Sequence, residues 1–337
     1  MDWFERLTGF RESNYADTRA KIKVEGGELQ SLVNGQSYGI GELELVSLQA
    51  LRERSASLSC PEGRLRLEVV RGDVRQMHRL PSNAGALFQV ASQFNLLEMT
   101  GPEVTPEDGV TRYQSDPTQG PACAIAAGAA TIYRNYFAPV GDSYGQTATR
   151  QLDGLADVGE ALAGDLNRPV EALWQMTNGY ALCTRVGLHA IAEHLRAMKL
   201  DQLDTLRGRL RVGVHSDVEV TDVEAAHRPR VSQVFCSALP IAYSRVPSAH
   251  WKPFASLVLE AAYEATLLAA VLNKQRGTSN VVLLTHLGGG AFGNEEDWID
   301  AAIRRALTTM SRFELDVKLV SYREPTRKTR QLVEDFN

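Results

Sequence analysis

The spacing of apolar and polar residues changes several times along the chain. The segment RLRLEVVRGD, from residue 64, has the pattern of a strand that stops in a turn. GALFQVASQF follows, and its apolar run is too continuous for a half-exposed strand, which predicts a strand buried on both faces, as in α/β proteins. Three further strand patterns are LRVGVHSDVEV, VSQVFCSALPIAYS and NVVLLTHL, with the helical segment WKPFASLVLEAAYEATLLAAVLNKQ between the last two. A last helix, EDWIDAAIRRALTTMSRF, leads to a last strand, LDVKLVSY. This alternation predicts an α/β fold in three layers, α/β/α, with a parallel or mixed sheet.

Three segments stand outside this alternation. Residues 1–60 form an N-terminal extension packed on the main body; within it GELELVSLQALRERS has Leu45, Leu48 and Leu51 at helical spacing, after the Asn-Gly turn of QSLVNGQSYGIG. Residues 140–210 read as a helical insertion in a main domain spanning 61–325, with polar turns at Gly141 to Gly145 and Leu166 to Pro169. The charged tail 326–337 is expected to fray. No internal repeat or low-complexity tract interrupts this order.

Composition narrows the function classes. A chain of 337 residues with 44% hydrophobic and 23% charged residues is that of a folding globular protein. A net charge of −5 provides no general field for nucleic acid, so nucleic-acid binding is not expected. The charged start MDWFERLTGFRESNYADTRAKIK has no signal-peptide core, and no window reaches 18 uninterrupted apolar residues, so a cytoplasmic location without membrane contact is expected. Cys60, Cys123, Cys183 and Cys236 are far apart and the seven histidines have no ligand spacing, so reduced thiols and no metal site are expected.

Ligands of open α/β sheets collect at the carboxyl ends of strands, which directs attention to the loops there. After RLRLEVV stands Arg71-Gly72-Asp73-Val74, able to offer a carboxylate and a backbone N–H to an adenine edge, although a plain surface turn has the same sequence. After GALFQVAS comes a long loop with Glu98, Glu103, Glu107, Asp108 and Asp116, closing on Asp116-Pro117-Thr118-Gln119-Gly120-Pro121 before the small-residue helix GPACAIAAGAATIYRNYF. A glycine and a helix start can supply N–H groups to a phosphate; acids beside them would repel phosphate and suit a sugar, where a carboxylate orients hydroxyls or activates water. The plainer alternative is that Asp116 caps the helix and the other acids are solvated. After NVVLLTH comes Leu287-Gly288-Gly289-Gly290-Ala291-Phe292-Gly293-Asn294, whose four glycines permit close backbone approach to a diphosphate while Phe292 could stack on a ribose or adenine. This loop fits neither the Walker nor the dinucleotide fingerprint. A fourth place is Tyr263-Glu264 in an apolar helix with Cys236-Ser237 at a strand end; a buried Glu264 needs a partner.

Taken in order, these loops resemble the macrodomain pattern across residues 65–322: LRLEVVRGDV its Gly-Asp-Ile/Val adenine site, GALFQVAS the strand that there ends in Asn-Ala-Ala-Asn, GPACAIAAGAA its first glycine stretch, and GGGAFGN its diphosphate loop. The long acidic first loop, with NLLEM, PEDG and SDPTQGPACA, resembles most the divergent MavL-type macrodomain ADP-ribosylhydrolases. The resemblance implies a macrodomain-like fold, ADP-ribose as ligand with no cofactor, and removal of ADP-ribose from a modified protein, arginine being the first linkage to consider and ubiquitin-like proteins among the partners. It implies that Asp73 and Val74 hold adenine, and that Gln119, Gly120, Pro121, Ala122 and Cys123, with Gly288, Gly289, Gly290, Ala291, Phe292, Gly293 and Asn294, cradle the phosphates and distal ribose. Asp116, Asp108 and Glu98 would then carry catalysis. Ser92 stands where the family has its ribose-binding asparagine, so that contact passes to Asn95 or Gln93 or is lost. The paired glutamates that PARG-type enzymes carry after the first glycine loop are absent there; Glu295-Glu296 follows the second. Competing readings are a non-catalytic ADP-ribose reader using the same loops, and an interaction protein whose extension and insertion contact a partner.

Overall fold

The run Leu87–Ala91 forms a strand whose first four residues are buried. It can be apolar on both faces because it lies at the centre of a sheet covered on both sides. The computed structural model describes residues 1–57, 63–224 and 227–336; Cys60 and the expected domain boundary near residue 60 lie outside the described residues. The main-sheet strands, in chain order, are β1 (Glu42–Ser47), β2 (Arg66–Arg71), β3 (Leu87–Ala91), β4 (Arg211–Glu219), β5 (Arg230–Cys236), β6 (Val281–Leu284) and β7 (Asp316–Ser321). Across the sheet their order is β1-β4-β5-β3-β6-β7-β2. The block β5-β3-β6-β7-β2 is parallel, while β4 runs antiparallel to both β5 and β1. The expected mixed α/β/α fold is therefore present.

Alternate residues of one strand serve opposite layers. Leu87 joins a cluster with Leu257, Ala261 and Leu268 of the long helix Ser248–Gln275, together with Ile303 and Leu51. Phe88 and Val90 join Val74, Met77, Cys123 and Ala127 on the other face. By length and composition Ser248–Gln275 could cross a membrane. Here it is the core helix, with Trp251, Phe254, Val258 and Tyr263 fully buried. Its one deep charge, Glu264, is met by Arg52 at 2.6 Å and Arg305 at 2.5 Å, which supplies the partner that burial demands.

Several expectations change in detail. Leu45 lies in β1, and only Leu48 and Leu51 are helical, in Leu48–Ala56. The switch falls at Ser47, whose hydroxyl caps the helix by accepting from Ala50 N at 3.1 Å. Residues 42–56 thus belong to the sheet domain, and the part packed outside it is residues 1–40: two short helices, Trp3–Thr8 and Tyr15–Ala20, and a three-stranded antiparallel sheet. Its Trp3, Phe4, Phe10 and Leu29 share a second core with Met99, Tyr113, Ile132 and Tyr136. The insertion carries two hairpins besides its helices: a short one at its start, Pro139–Val140 with Ser143–Tyr144, and Trp174–Thr177 with Tyr180–Cys183, turned by Asn178 and Gly179 at φ of 47° and 81°. The small-residue helix is two, Gln119–Ala126 and Gly128–Tyr136, broken at Ala127. The tail is the helix Arg327–Phe336, held by buried Leu332 and Thr329.

Candidate functional site

Because β3, β5 and β6 are parallel neighbours, their carboxyl ends deliver three loops to one rim of the sheet. Between these loops lies a cavity of about 160 Å³, lined by Ser92, Glu98, Asp116, Gly120, Gly288, Gly290 and Phe292 among others. A second cavity of about 300 Å³, at the carboxyl end of β2, is lined by Gly72, Asp73, Val74, Ala122 and Tyr322. Asp116, Thr118, Gln119 and Thr285 line both, so the two form one cleft along the sheet rim.

The first wall is tied to β3 by side chains that mimic backbone. Gln119 Oε1 accepts from Ala91 N and its Nε2 donates to Gln89 O, both at 2.8 Å, continuing the pairing of β3 beyond the end of β6. The adjacent helix comes so close that a Cβ on Gly120 would lie 2.0 Å from Ala91 O. Gly120 is glycine for that approach, and it leaves the first N–H groups of Gln119–Ala126 at the cleft. Asp116 Oδ1 accepts from Thr118 N at 2.8 Å, so Asp116 braces the turn before the helix while lining the cleft.

Glu98 is the most unusual acid. It is 2% exposed, yet its residue lines the cavity. Burial outweighs its neighbours and raises its pKa from 4.5 to about 7. Those neighbours are Arg134, whose Nη2 lies 3.3 and 3.5 Å from the two carboxylate oxygens, and Tyr113, whose hydroxyl accepts from Glu98 N at 3.1 Å. Arg134 is itself fully buried; its guanidinium lies 3.8 Å from the Phe235 ring centroid and its Nε donates to Leu96 O.

The second wall is the glycine loop. Tyr263 pins its start by donating to Thr285 O at 2.7 Å and accepting from Leu287 N at 2.9 Å. Gly288 has φ of 74° and lies where a Cβ would be 2.4 Å from Ala238 Cβ. Asn294 closes the loop, its N donating to Gly288 O and its Nδ2 to Leu239 O, each at 2.9 Å. The N–H groups of Gly290, Ala291 and Phe292 make no backbone hydrogen bond among the described residues and remain as donors. Phe292 packs with Tyr180 of the insertion hairpin, centroids 5.3 Å apart, and with Tyr243 at 5.9 Å.

The structure thus brings Asp73, Val74, Ser92, Gln93, Glu98, Asp116, Gln119, Gly120, Pro121, Ala122, Gly288, Gly290, Ala291 and Phe292 to the cleft. It does not bring the others there. Asp108 is exposed and caps the turn Pro106–Asp108, accepting from Thr105 N at 2.8 Å and Thr105 Oγ1 at 2.9 Å. Asn95 is buried away from the cleft, held by Gln151 and Leu97 N. Cys123 points inward at 0% exposure, burial pushing its thiol well above the usual range. Gly289 faces Ile299. Gly293 and Asn294 shape the loop from outside the cavity, with Gly293 at φ of 71° and Asn294 buried. Ser92 Oγ donates to Gln93 O at 3.0 Å, and Gln93 holds Met99 through both amide atoms, so neither side chain is free. Tyr180, Tyr243, Thr285, His286 and Tyr322 line the cleft without having been anticipated. Some of these had a signal: Thr285 and His286 end the strand pattern NVVLLTHL just before the glycine loop, and an Asn-Gly turn precedes Tyr180. Among the described residues no group of three His, Cys, Asp or Glu side chains is placed to hold a metal ion.

No family model matches the sequence, and no curated protein sequence matches it. Solved structures do. One is a poly(ADP-ribose) glycohydrolase from Thermomonospora curvata, 13% identical, with 92% of this chain and 94% of that chain covered at a TM-score of 0.45. The poly(ADP-ribose) glycohydrolase from Deinococcus radiodurans is similar in complex with ADP-ribose, 12% identical over 87% of this chain and 93% of that one, TM-score 0.44. Its apo form is 13% identical over 87% and 91%, TM-score 0.42.

Proposed function

We propose that the cleft binds ADP-ribose and that the chain is an ADP-ribosylhydrolase of the MavL-like kind, acting on a modified protein. The observation that carries this reading is a pair of acids of unlike character on one cavity: buried Glu98, half protonated near neutrality, and partly exposed Asp116 beside it on the wall. Adenine lies at Asp73 and Val74, the diphosphate on the free N–H groups of Gly290 to Phe292 and of the helix at Gln119, and the distal ribose between Glu98 and Asp116. Asp116 orients the attacking water or the ribose hydroxyls, and protonated Glu98 donates to the departing nitrogen. Water adds its oxygen to the anomeric carbon as the bond to the side-chain nitrogen breaks, its released proton passes to Asp116, and Glu98 regains a proton from solvent. Arginine is the linkage we put first: the rings of Tyr180, Tyr243 and Phe292 at the cavity suit a guanidinium, which favours aromatic faces and nearby carboxylates.

The test is a calorimetric titration with ADP-ribose followed by release assays on Arg-, Ser- and Glu-linked substrates. Binding with release from the arginine linkage is expected. Asp116→Ala should abolish release and keep measurable binding, and full activity in that variant would refute the assignment. Binding without turnover on any linkage would leave a reader, and no thermal stabilisation by excess ADP-ribose would remove both readings.

A further inference from the structure

The N-terminal extension reaches the acidic loop through one carboxylate. Glu12 Oε1 accepts from Val110 N at 2.9 Å and from the Tyr136 hydroxyl at 2.7 Å, and Oε2 accepts from Thr111 N at 2.7 Å. The loop is shaped to receive it: Gly109 has φ of 80°, and a Cβ there would lie 2.5 Å from the Glu12 carboxyl. Trp3 Nε1 adds a bond to Thr111 O at 3.2 Å. The bonded residues open the turn Thr111–Ser115, whose Tyr113 is fully buried. Tyr113 contacts the backbone of both cleft acids. Its hydroxyl accepts from Glu98 N at 3.1 Å, and its carbonyl accepts from Asp116 N at 3.1 Å.

We infer that Glu12 is a positioning residue for the proposed reaction: it fixes the turn on which Tyr113 sets Glu98 and Asp116 together at the cleft. The inference rests on the hydrolase reading for its catalytic half, while its mechanical half stands on the contacts alone. A carboxylate accepting backbone N–H groups makes charge-assisted bonds, stronger than neutral ones. Releasing them leaves Gly288–Asn294 and Asp73, which do not contact Glu12, in place to hold the diphosphate and adenine, and loosens only the distal-ribose end, where Asp116 also accepts from Thr118 N. The consequence is a split: ligand affinity holds while turnover falls, since a displacement on the order of 1 Å at a reacting group costs about 10²-fold.

The experiment uses the full chain with Glu12→Ala, and the isosteric Glu12→Gln, which keeps one acceptor oxygen, as the milder variant. Amide exchange across residues 110–116, the dissociation constant for ADP-ribose, and kcat on the linkage that wild type cleaves are measured. Faster exchange confined to that segment, an affinity within about 3-fold of wild type and a kcat lower by about 10²-fold in Glu12→Ala and less in Glu12→Gln are expected. Unchanged exchange overturns the brace, whatever the activity. Faster exchange with unchanged kcat reduces Glu12 to a structural tie and overturns its positioning role. If wild type releases nothing from any linkage, the hydrolase reading fails and the catalytic half of this inference with it, while the exchange measurement still decides the mechanical half.

Discussion

Replacing Glu98 by Gln removes a titrating group from a fully buried position, and the effect on stability can be worked from its proton affinity. In the folded chain burial holds the Glu98 pKa at about 7, against 4.5 when unfolded. The folded state therefore binds this proton more tightly. Below pH 4.5 the contribution is complete; as pH rises the unfolded state has already lost its proton while the folded state keeps it, and stability falls until about pH 7, where it levels off. The difference of about 2.5 units corresponds to roughly 3 kcal/mol at 1.36 kcal/mol per unit. Glu98→Gln cannot titrate, so its stability relative to wild type rises by about that amount between pH 4.5 and 8, on top of a constant offset from the altered contact with Arg134. Urea unfolding of both proteins at a series of pH values gives the difference directly, and titrations common to both cancel. A difference that stays flat across the range would show that Arg134 holds Glu98 ionised throughout and would remove it as a proton donor. The same titration bears on turnover: if protonated Glu98 assists the leaving group, kcat/KM on the cleaved linkage declines above pH 7 in wild type.

Two further substitutions separate architecture from chemistry. Gly288→Ala forces a side chain into a positive-φ position 2.4 Å from Ala238 Cβ, whereas at Gly290 nothing lies within 4 Å and φ is ordinary; scanning calorimetry should show a loss of about 1–3 kcal/mol for the first and a change within about 0.5 kcal/mol for the second. Glu264→Ala leaves Arg52 and Arg305 without their shared buried partner, and because both arginines keep Asp204 the loss read by urea unfolding should be about 2 kcal/mol, below the full cost of breaking a buried pair.

The central strands β3, β5 and β6 were legible because they are buried on both faces and so appear as continuous apolar runs, and the glycine loop because few other structures require that composition. Less was legible in the first loop, where Glu98 and Asp108 were expected together with Asp116 at the reacting centre. Their fates depend on contacts far away in sequence. Glu98 is set apart by burial and by Arg134, 36 residues on, and nothing local marks either. Asp108 did carry a local sign: Thr105-Pro106-Glu107-Asp108 is a turn-capping pattern, and the structure uses it so. Leu45 shows the converse error, since three leucines at helical spacing straddled the Ser47 cap that separates strand from helix. The segments outside the main pattern proved the most consequential for the site. The extension holds the acidic loop through Glu12, and the insertion supplies Tyr180, whose hydroxyl donates to Met99 O at 2.8 Å and so fastens the residue next to Glu98. The two segments clasp the same acidic loop from different elements, while the glycine loop is held at its start by Tyr263 of the core helix and at its end by Asn294 on Leu239 O. The glycine loop is thus anchored mainly by the sheet domain, with Phe292 alone leaning on the insertion through Tyr180, and the placement of the acids depends on both added segments. Changes in the extension should therefore alter turnover before they alter ligand affinity, whereas changes at Tyr180 of the insertion, which touches both the acidic loop and Phe292, should alter both.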